Sequence, residues 1–146
     1  MSIKRRALKN ALKTAHREEV RAAALFGAIA GSVKDAQLHG TFLQFSASEH
    51  GAVAMVEGLM ESRAVARPAL VGVTRLRATL SGRAAGLRGW RNLCEEALDR
   101  AERRARVMAE AASNARVAGD LDAARSLDGL RDNAGAQATW FRDFLR

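Results

Sequence analysis

The stretch TFLQFSASEHGAVAMVEGLMESRAVARP, residues 41–68, decides the fold prediction. Its apolar residues recur at three- and four-residue steps, which is the spacing of one face of an α-helix. Two ionisable residues, Glu49 and His50, interrupt this apolar run. An ionisable group inside a helical core is costly unless it is paired or binds a metal. We therefore expect a helix over Thr41–Ser62 that carries a polar group at its centre.

The composition indicates a single all-α domain spanning residues 1–146. The chain has one proline and no tyrosine, and it is rich in alanine, leucine, arginine and glutamate. Its length is sufficient for a substantial hydrophobic core. The lone cysteine, Cys94, excludes an internal disulfide framework and favours a reducing compartment. We expect a cytoplasmic protein, with the interior of a mitochondrion or another organelle as the alternative, and a buried, unreactive Cys94.

Glycines and the proline divide the chain into two helical hairpins. The first helix is predicted over Lys4–Val33, with His39–Gly40 as the turn before the second helix. Pro68 ends the pattern of the second helix, because proline lacks a backbone donor and clashes with the preceding turn. A glycine-punctuated segment, Ala69–Gly89, is expected to form a short helix and an extended connection. The remaining helices are predicted over Trp90–Val117 and Leu121–Phe144. Two hairpins joined by a longer crossover indicate an up-down-down-up four-helix bundle.

The net charge of +8 is consistent with several kinds of partner. Basic clusters in this composition bind nucleic acid, an anionic membrane or an acidic protein, or they form solvated helix faces. No zinc-finger spacing or aromatic RNA-binding motif accompanies the charge. The arginine-rich segment 63–91 is the best candidate for a peripheral membrane or protein-docking element. The clusters lie at residues 4–6, 75–77, 88–91 and 103–106.

No predicted helix is apolar over the ~20 residues that a membrane crossing requires. The longest apolar run, Ala22–Val33, has about half of that length. A protein partner or a homo-oligomer, such as a dimer, is consistent with the aromatic residues near the carboxyl terminus. His16 and His39 lie outside the apolar stripes and are expected at the surface.

Several local strings resemble the ferritin-like superfamily, in particular rubrerythrin and the demethoxyubiquinone hydroxylases. FLQFSASEH, residues 42–50, resembles the second-helix motif that carries a Glu-x-x-His pair after an apolar start. RAVARPAL, residues 63–70, resembles the Arg-Pro sequence that follows the second helix of the hydroxylases. Residues 92–145 have the arrangement of a rubrerythrin hairpin, in which a long helix and a glycine-bearing turn precede an aromatic-rich helix end. The resemblance implies a ferritin-like bundle.

The resemblance also implies a di-iron centre, and here the sequence departs from the family pattern. That centre takes one glutamate from each of two helices and a Glu-x-x-His pair from each of the other two. Glu19 and Glu102 match the single glutamates of the first and third helices. On the second helix His50 is kept, but the glutamate position holds Ala47. On the fourth helix Gln137 stands where the histidine is expected.

These losses weaken the prediction of a metal pair, since two closely spaced divalent ions need several carboxylates to neutralise their repulsion. Glu19, His50 and Glu102 can provide one weak site for iron or another divalent metal, and rotation of the second helix brings in Glu49 as a substitute ligand. Without a metal, these residues and Gln137 form a hydrogen-bonded polar layer or face solvent.

Three functional hypotheses follow. The first, which we favour, is a non-catalytic ferritin-like bundle without a cofactor that acts as a structural or protein-interaction subunit. The second is a metal-dependent oxidoreductase with a rearranged site that uses Glu19, Glu49, His50 and Glu102. The third is a basic helical adaptor for nucleic acid or an anionic membrane surface, whose binding falls steeply with salt.

Overall fold

The computed structural model describes residues 1–68 and 90–146, and this part of the chain forms four α-helices without a β-strand. The short helix and extended connection predicted for Ala69–Gly89 lie outside the described residues. The helices are α1 (Ile3–Ser32), α2 (Ala36–Ser62), α3 (Trp90–Val117) and α4 (Leu121–Phe144). The predicted all-α four-helix bundle is confirmed at this level. No helix in the described ranges has the length and apolarity that crossing a bilayer requires.

The bounds of α3 and α4 agree with the prediction, whereas the start of α2 does not. The turn is formed by residues 33–35, and His39–Gly40 lie inside α2. Asp35 causes this earlier start, because its carboxylate accepts a hydrogen bond of 2.9 Å from the backbone N–H of Leu38 and caps the helix. The ring Nδ1 of His39 then donates to the carbonyl of Ala30 at 2.6 Å, which ties the first turn of α2 to the end of α1.

The helices run up-down-down-up. Helix α1 packs mainly on α2, and α3 packs mainly on α4. The guanidinium of Arg63, just after α2, binds the carboxylate of Asp120 in the α3–α4 turn, with Nε at 2.5 Å and Nη2 at 2.8 Å from its oxygens. Cys94, near the start of α3, packs instead with Val33 beyond the end of α1. The end of α2 and the start of α3 therefore lie at opposite ends of the bundle.

Two apolar clusters fill the bundle on either side of its centre. One cluster contains Leu8, Met60, Met108 and Leu127, and it occupies the end that holds the α3–α4 turn. The other holds the aromatic residues at the opposite end, including Phe26 and Phe141, whose stacked rings have centroids 6.2 Å apart. The apolar face of α1 recurs at three- and four-residue steps and is buried throughout, which fixes the side of α1 that packs on the core. It consists of Leu8, Leu12, Ala15, Ala22, Phe26 and Ile29, with Glu19 in its middle.

Gly119 permits the tight connection between α3 and α4. Its φ of +76° lies in the left-handed region, where a side chain is strained. Asp120 follows it directly and caps α4 by accepting from the N–H of Ala123 at 3.2 Å. This glycine and the capping carboxylate together set the angle at which α4 returns along α3.

We expect Gly119→Ala and Gly129→Ala to change stability in opposite directions. Gly119→Ala forces an alanine into a left-handed backbone and should lower the free energy of unfolding by about 1 kcal/mol. Gly129 lies inside α4 with no atom within 4 Å of an added Cβ, so alanine there should raise it by up to about 1 kcal/mol. Urea denaturation monitored by circular dichroism measures both changes. A loss of stability in Gly129→Ala would show that the assigned helix register is wrong.

The Arg63–Asp120 pair predicts a pH-dependent contribution to stability. The hydrogen bond from Arg63 lowers the pKa of Asp120 below its ordinary value. A carboxylate with a depressed folded-state pKa stabilises the fold above its unfolded pKa, and this contribution disappears as the pH falls through the folded value.

Asp120→Asn, which keeps a capping oxygen, should therefore cost about 1 kcal/mol at neutral pH. The difference from the unmodified chain should shrink as the pH falls below the ordinary range of aspartate. Urea titrations across an acidic pH series measure this difference. Asp122→Asn, at an exposed aspartate in the first turn of α4, serves as the control. A difference that does not change with pH would contradict the assigned ion pair.

Candidate functional site

A buried polar layer crosses the centre of the bundle between the two apolar clusters. Each helix contributes one side chain to it: Glu19 from α1, Glu49 from α2, Arg104 from α3 and Gln137 from α4. All four residues are at most 3 % exposed. Charged residues are rarely buried to this degree unless they are paired. The layer is the main concentration of buried charge in the described part of the chain.

The guanidinium of Arg104 connects the members of this layer. Its Nη1 atom lies 2.8 Å from Oε1 of Glu49 and 3.9 Å from Oε2 of Glu19. Its Nη2 atom donates to Oε1 of Gln137 at 2.5 Å. The amide Nε2 of Gln137 in turn donates to Oε1 of Glu49 at 2.7 Å. One cation therefore contacts a group from each of the three other helices.

The apolar surroundings strengthen these interactions. The central carbon of the Arg104 guanidinium lies 5.6 Å from the ring centroid of Phe26, within the range of a cation–π contact. Exclusion of water lowers the local dielectric constant, so the attraction between the guanidinium and each carboxylate is larger than at the surface. The same exclusion makes a lost partner costly, because the remaining charge stays buried.

The layer contains two carboxylates and a single guanidinium, and its hydrogen bonding is incomplete. Oε2 of Glu19, Oε2 of Glu49 and Nε of Arg104 make no hydrogen bond within the described part of the chain. Nη1 of Arg104 faces Glu49 as an ion pair without an aligned hydrogen bond. The arrangement therefore holds four helices together electrostatically without saturating every polar atom.

The structure brings only two of the predicted metal ligands together. Glu19 and Glu49 both face Arg104. His50 is exposed on α2, because it follows Glu49 by one residue and is turned by about 100° around the helix. Glu102 is also directed away from the layer, and its Oε1 accepts from Arg142 at 3.1 Å near the surface.

The residues of the layer do not fit a pair of divalent metal ions. Such a pair needs several carboxylates and imidazoles, whereas this layer offers two carboxylates, an amide and a guanidinium. The guanidinium repels a cation and already interacts with the oxygens that would bind one. Across residues 1–68 and 90–146, no group of three or more histidine, cysteine, aspartate or glutamate residues is placed to hold a metal ion.

Arg104 is the member of the layer that sequence reasoning missed. The sequence places it in the basic run 103–106, which reads as a solvated face. The spacing of Arg104 from the preceding alanines could have indicated its burial. The buried face of α3 recurs at three- and four-residue steps: Ala97, Ala101, Arg104, Met108, Ala111 and Ala115. The stripe therefore identifies Arg104 as an inward-facing residue, and Glu102 is about 200° away from it around the helix.

His16 corrects a second sequence prediction. It was expected at the surface, but its side chain is fully buried between α1 and α2. Its Nε2 atom lies 3.1 Å from Oε1 of Glu57, whose other oxygen is 3.0 Å from Nη2 of Arg67. His39, the other histidine expected at the surface, is partly buried by its contact with Ala30. These contacts join α1, α2 and the segment after α2.

The lone cysteine does not provide a reactive thiol. Cys94 is buried in the aromatic cluster, as the sequence predicts. Burial raises the pKa of its thiol to about 11. The nucleophilic thiolate is therefore scarce at neutral pH, and the residue acts as a small apolar group in the core.

Comparison with protein-family models, with characterised proteins and with solved structures finds no match to this chain.

We expect Arg104→Met to destabilise the fold strongly, because it leaves Glu19 and Glu49 buried without their cation. The expected loss is about 3–5 kcal/mol in the free energy of unfolding. Arg103→Met is the matched control, since Arg103 is the preceding residue, is 62 % exposed and lies 3.5 Å from Glu18. The control should lose less than about 1 kcal/mol. Urea denaturation at neutral pH measures both values.

A variant with a fully apolar layer distinguishes two quantities: the stability lost when a buried charge has no partner, and the net stability that the intact ion pair contributes. The variant Glu19→Leu/Glu49→Leu/Arg104→Met/Gln137→Leu should recover most of the stability that Arg104→Met loses, because no charge remains buried. An Arg104→Met variant no less stable than Arg103→Met would mean that the layer is not formed as described.

Proposed function

We propose that this protein is a ferritin-like bundle without an oxidoreductase centre, and that it serves as a structural or protein-interaction subunit. Two features support the ferritin-like assignment. The helices form two antiparallel hairpins that run up-down-down-up, and each helix directs one polar side chain into a single central layer. In ferritin-like carboxylate proteins the same kind of layer provides the metal ligands.

The observation that carries the proposal is the position of Arg104. Its guanidinium contacts the two inward carboxylates, Glu49 at 2.8 Å and Glu19 at 3.9 Å. A metal-dependent bundle needs these oxygens free to neutralise its ions. Here a side chain of the protein provides the positive charge permanently, so the interior does not depend on an exogenous cation.

A permanent internal cation is suited to a structural role. It fixes the relative height of four helices, since Arg104 contacts Glu49 and Gln137 at the same time only in one register. Buried polar groups that specify a single arrangement are well documented in helical assemblies, although they need not increase stability. The result is a bundle with a defined shape that presents fixed outer surfaces to other molecules.

Metal loading tests the proposal. The protein is incubated anaerobically with excess Fe(II), or with Zn(II) or Mn(II), passed through a desalting column and analysed for metal content. We expect much less than one ion per chain. Bound iron at one or two equivalents that is lost in Glu49→Gln would overturn the proposal, because it would establish a working centre that includes this carboxylate.

A variant that is expected to bind metal shows that the loading experiment can detect binding when the unmodified chain binds none. Arg104→Glu removes the internal cation and adds a third carboxylate to the layer. It should retain more divalent metal after desalting than the unmodified chain, because three buried carboxylates favour a bound cation. Glu102→Gln is the control for nonspecific metal uptake, since Glu102 pairs with Arg142 outside the layer. Circular dichroism with and without metal establishes that the variant folds.

A further inference from the structure

The end of the bundle that holds the α3–α4 turn has an open cleft of about 860 Å³. Leu8, Ala118 and Leu121 provide apolar walls, and Arg5 and Lys9 provide positive charge at its side. Arg63 and Arg125 also line the cleft, but they pair with Asp120 and Asp122, so Arg5 and Lys9 are its lining cations without an ion pair in the described part of the chain. A concave site of this volume is in the size range that binds a lipid headgroup or a small ligand. The cleft lies far from the central layer, and the interactions of Arg104 do not involve it.

Apolar side chains project from the helix ends around this cleft. Ile3 at the start of α1 is 87 % exposed, Val117 at the end of α3 is 58 % exposed, and Leu121 at the start of α4 is 60 % exposed. Large exposed apolar side chains are few among the described residues, and most of them are found at this end. Scattered apolar exposure is ordinary, but its concentration at one end marks an interaction surface.

The same end carries a group of cations on α1 that form no ion pair within the described residues. Helix α1 has no acidic residue before Glu18, and within the described part of the chain the four cations of its first two turns make no ion pair. Glu61, in the last turn of α2, offsets part of this charge. Two helix N-termini and two C-termini meet here, so their dipoles largely cancel and the side chains set the potential. The four cations are Lys4, Arg5, Arg6 and Lys9.

We propose that this end of the bundle is a docking surface for an anionic phospholipid bilayer. Ile3, Val117 and Leu121 enter the interface between headgroups and acyl chains, and the cations of α1 bind the lipid phosphates and carboxylates. Nucleic acid would pair with the cations, but its backbone provides no apolar surface to cover the exposed side chains on three separate helix ends. A fluid lipid surface accommodates such spaced apolar residues without a fixed complementary shape. The sequence prediction placed membrane contact on segment 63–91, of which Arg63 lines this cleft and residues 69–89 lie outside the described part of the chain.

Vesicle co-sedimentation of the full chain tests this proposal. Phosphatidylcholine vesicles are compared with vesicles that also contain phosphatidylserine at about 30 % of the lipid, at physiological ionic strength. We expect the protein to pellet with the anionic vesicles, to remain in solution with the neutral ones, and to lose binding as salt is raised. Equal binding to both compositions, or no binding to either, would overturn the proposal.

Paired substitutions locate the contact. Arg5→Gln should lower the partition coefficient for anionic vesicles about fivefold, and Arg106→Gln, at an exposed arginine in the middle of α3, should leave it unchanged. Leu121→Ser should lower it by a similar factor, and Phe144→Ser, at the exposed end of α4, should have no effect. All four positions are on the surface, so the variants are expected to fold, and circular dichroism checks this.

Other occupants of this surface give different results. A polyanion partner predicts binding to duplex DNA that Arg5→Gln weakens and Leu121→Ser does not, and this pattern would overturn the bilayer assignment. Self-association predicts a dimer in light scattering that Leu121→Ser dissociates, without vesicle binding. The proposal is independent of the central layer, because the metal content and the vesicle binding of the unmodified chain are separate measurements and either can fail without the other.

Discussion

The organisation of the bundle depends on the interactions of one buried group, the guanidinium of Arg104. It lies between two carboxylates that approach from α1 and α2, and it binds the amide that approaches from α4. In a low-dielectric interior, none of these charges can be left alone without a large energetic cost. The requirement couples the positions of all four helices, since a shift of any helix by one turn, about 5 Å, removes its group from the layer.

Most of the fold could be predicted from the periodicity of apolar residues. The stripe of α1 and the ends of α3 and α4 were found in this way, because side-chain spacing directly reports the buried face of a helix. The start of α2 was predicted wrongly, since Gly40 was taken as part of a turn. Asp35 begins the helix earlier by capping the N–H of Leu38, a local hydrogen bond that apolar spacing does not reveal.

The central layer could be predicted only in part. Glu49 was identified because it interrupts an apolar run, and Glu19 and Gln137 because they stand at ligand positions of the ferritin-like pattern. A polar layer was among the arrangements expected for them. Arg104 was missed because a search for metal ligands considers acidic residues and histidines, and its neighbours in sequence are basic. His16 was missed for a different reason. Its burial depends on Glu57, 41 residues away along the chain, and such a partner cannot be read from the periodicity of one helix.

The positions and pairing of the charged residues are more informative than the net charge of +8. Most arginines of α3 and α4 lie beside acidic residues, as Arg116 does with Asp128 and Arg142 with Glu102, and Arg104 is neutralised inside the core. Paired charges produce little field beyond the Debye length of ~10 Å. Within the described part of the chain, the four unpaired cations at the start of α1 lie close together, and they therefore produce much of the positive field at this end of the bundle.

The structural role inferred for the central layer and the docking role inferred for the cleft end therefore belong to different parts of the molecule. The interior uses its charge to fix helix positions, and that charge is not accessible to a partner. The cleft end leaves the cations of α1 unpaired and adds exposed apolar side chains, and these apolar side chains lower solubility and contribute little to folding. The bilayer docking that we propose for this end would cover the apolar side chains and neutralise the cations of α1 together, because the interface of an anionic bilayer is both charged and partly apolar.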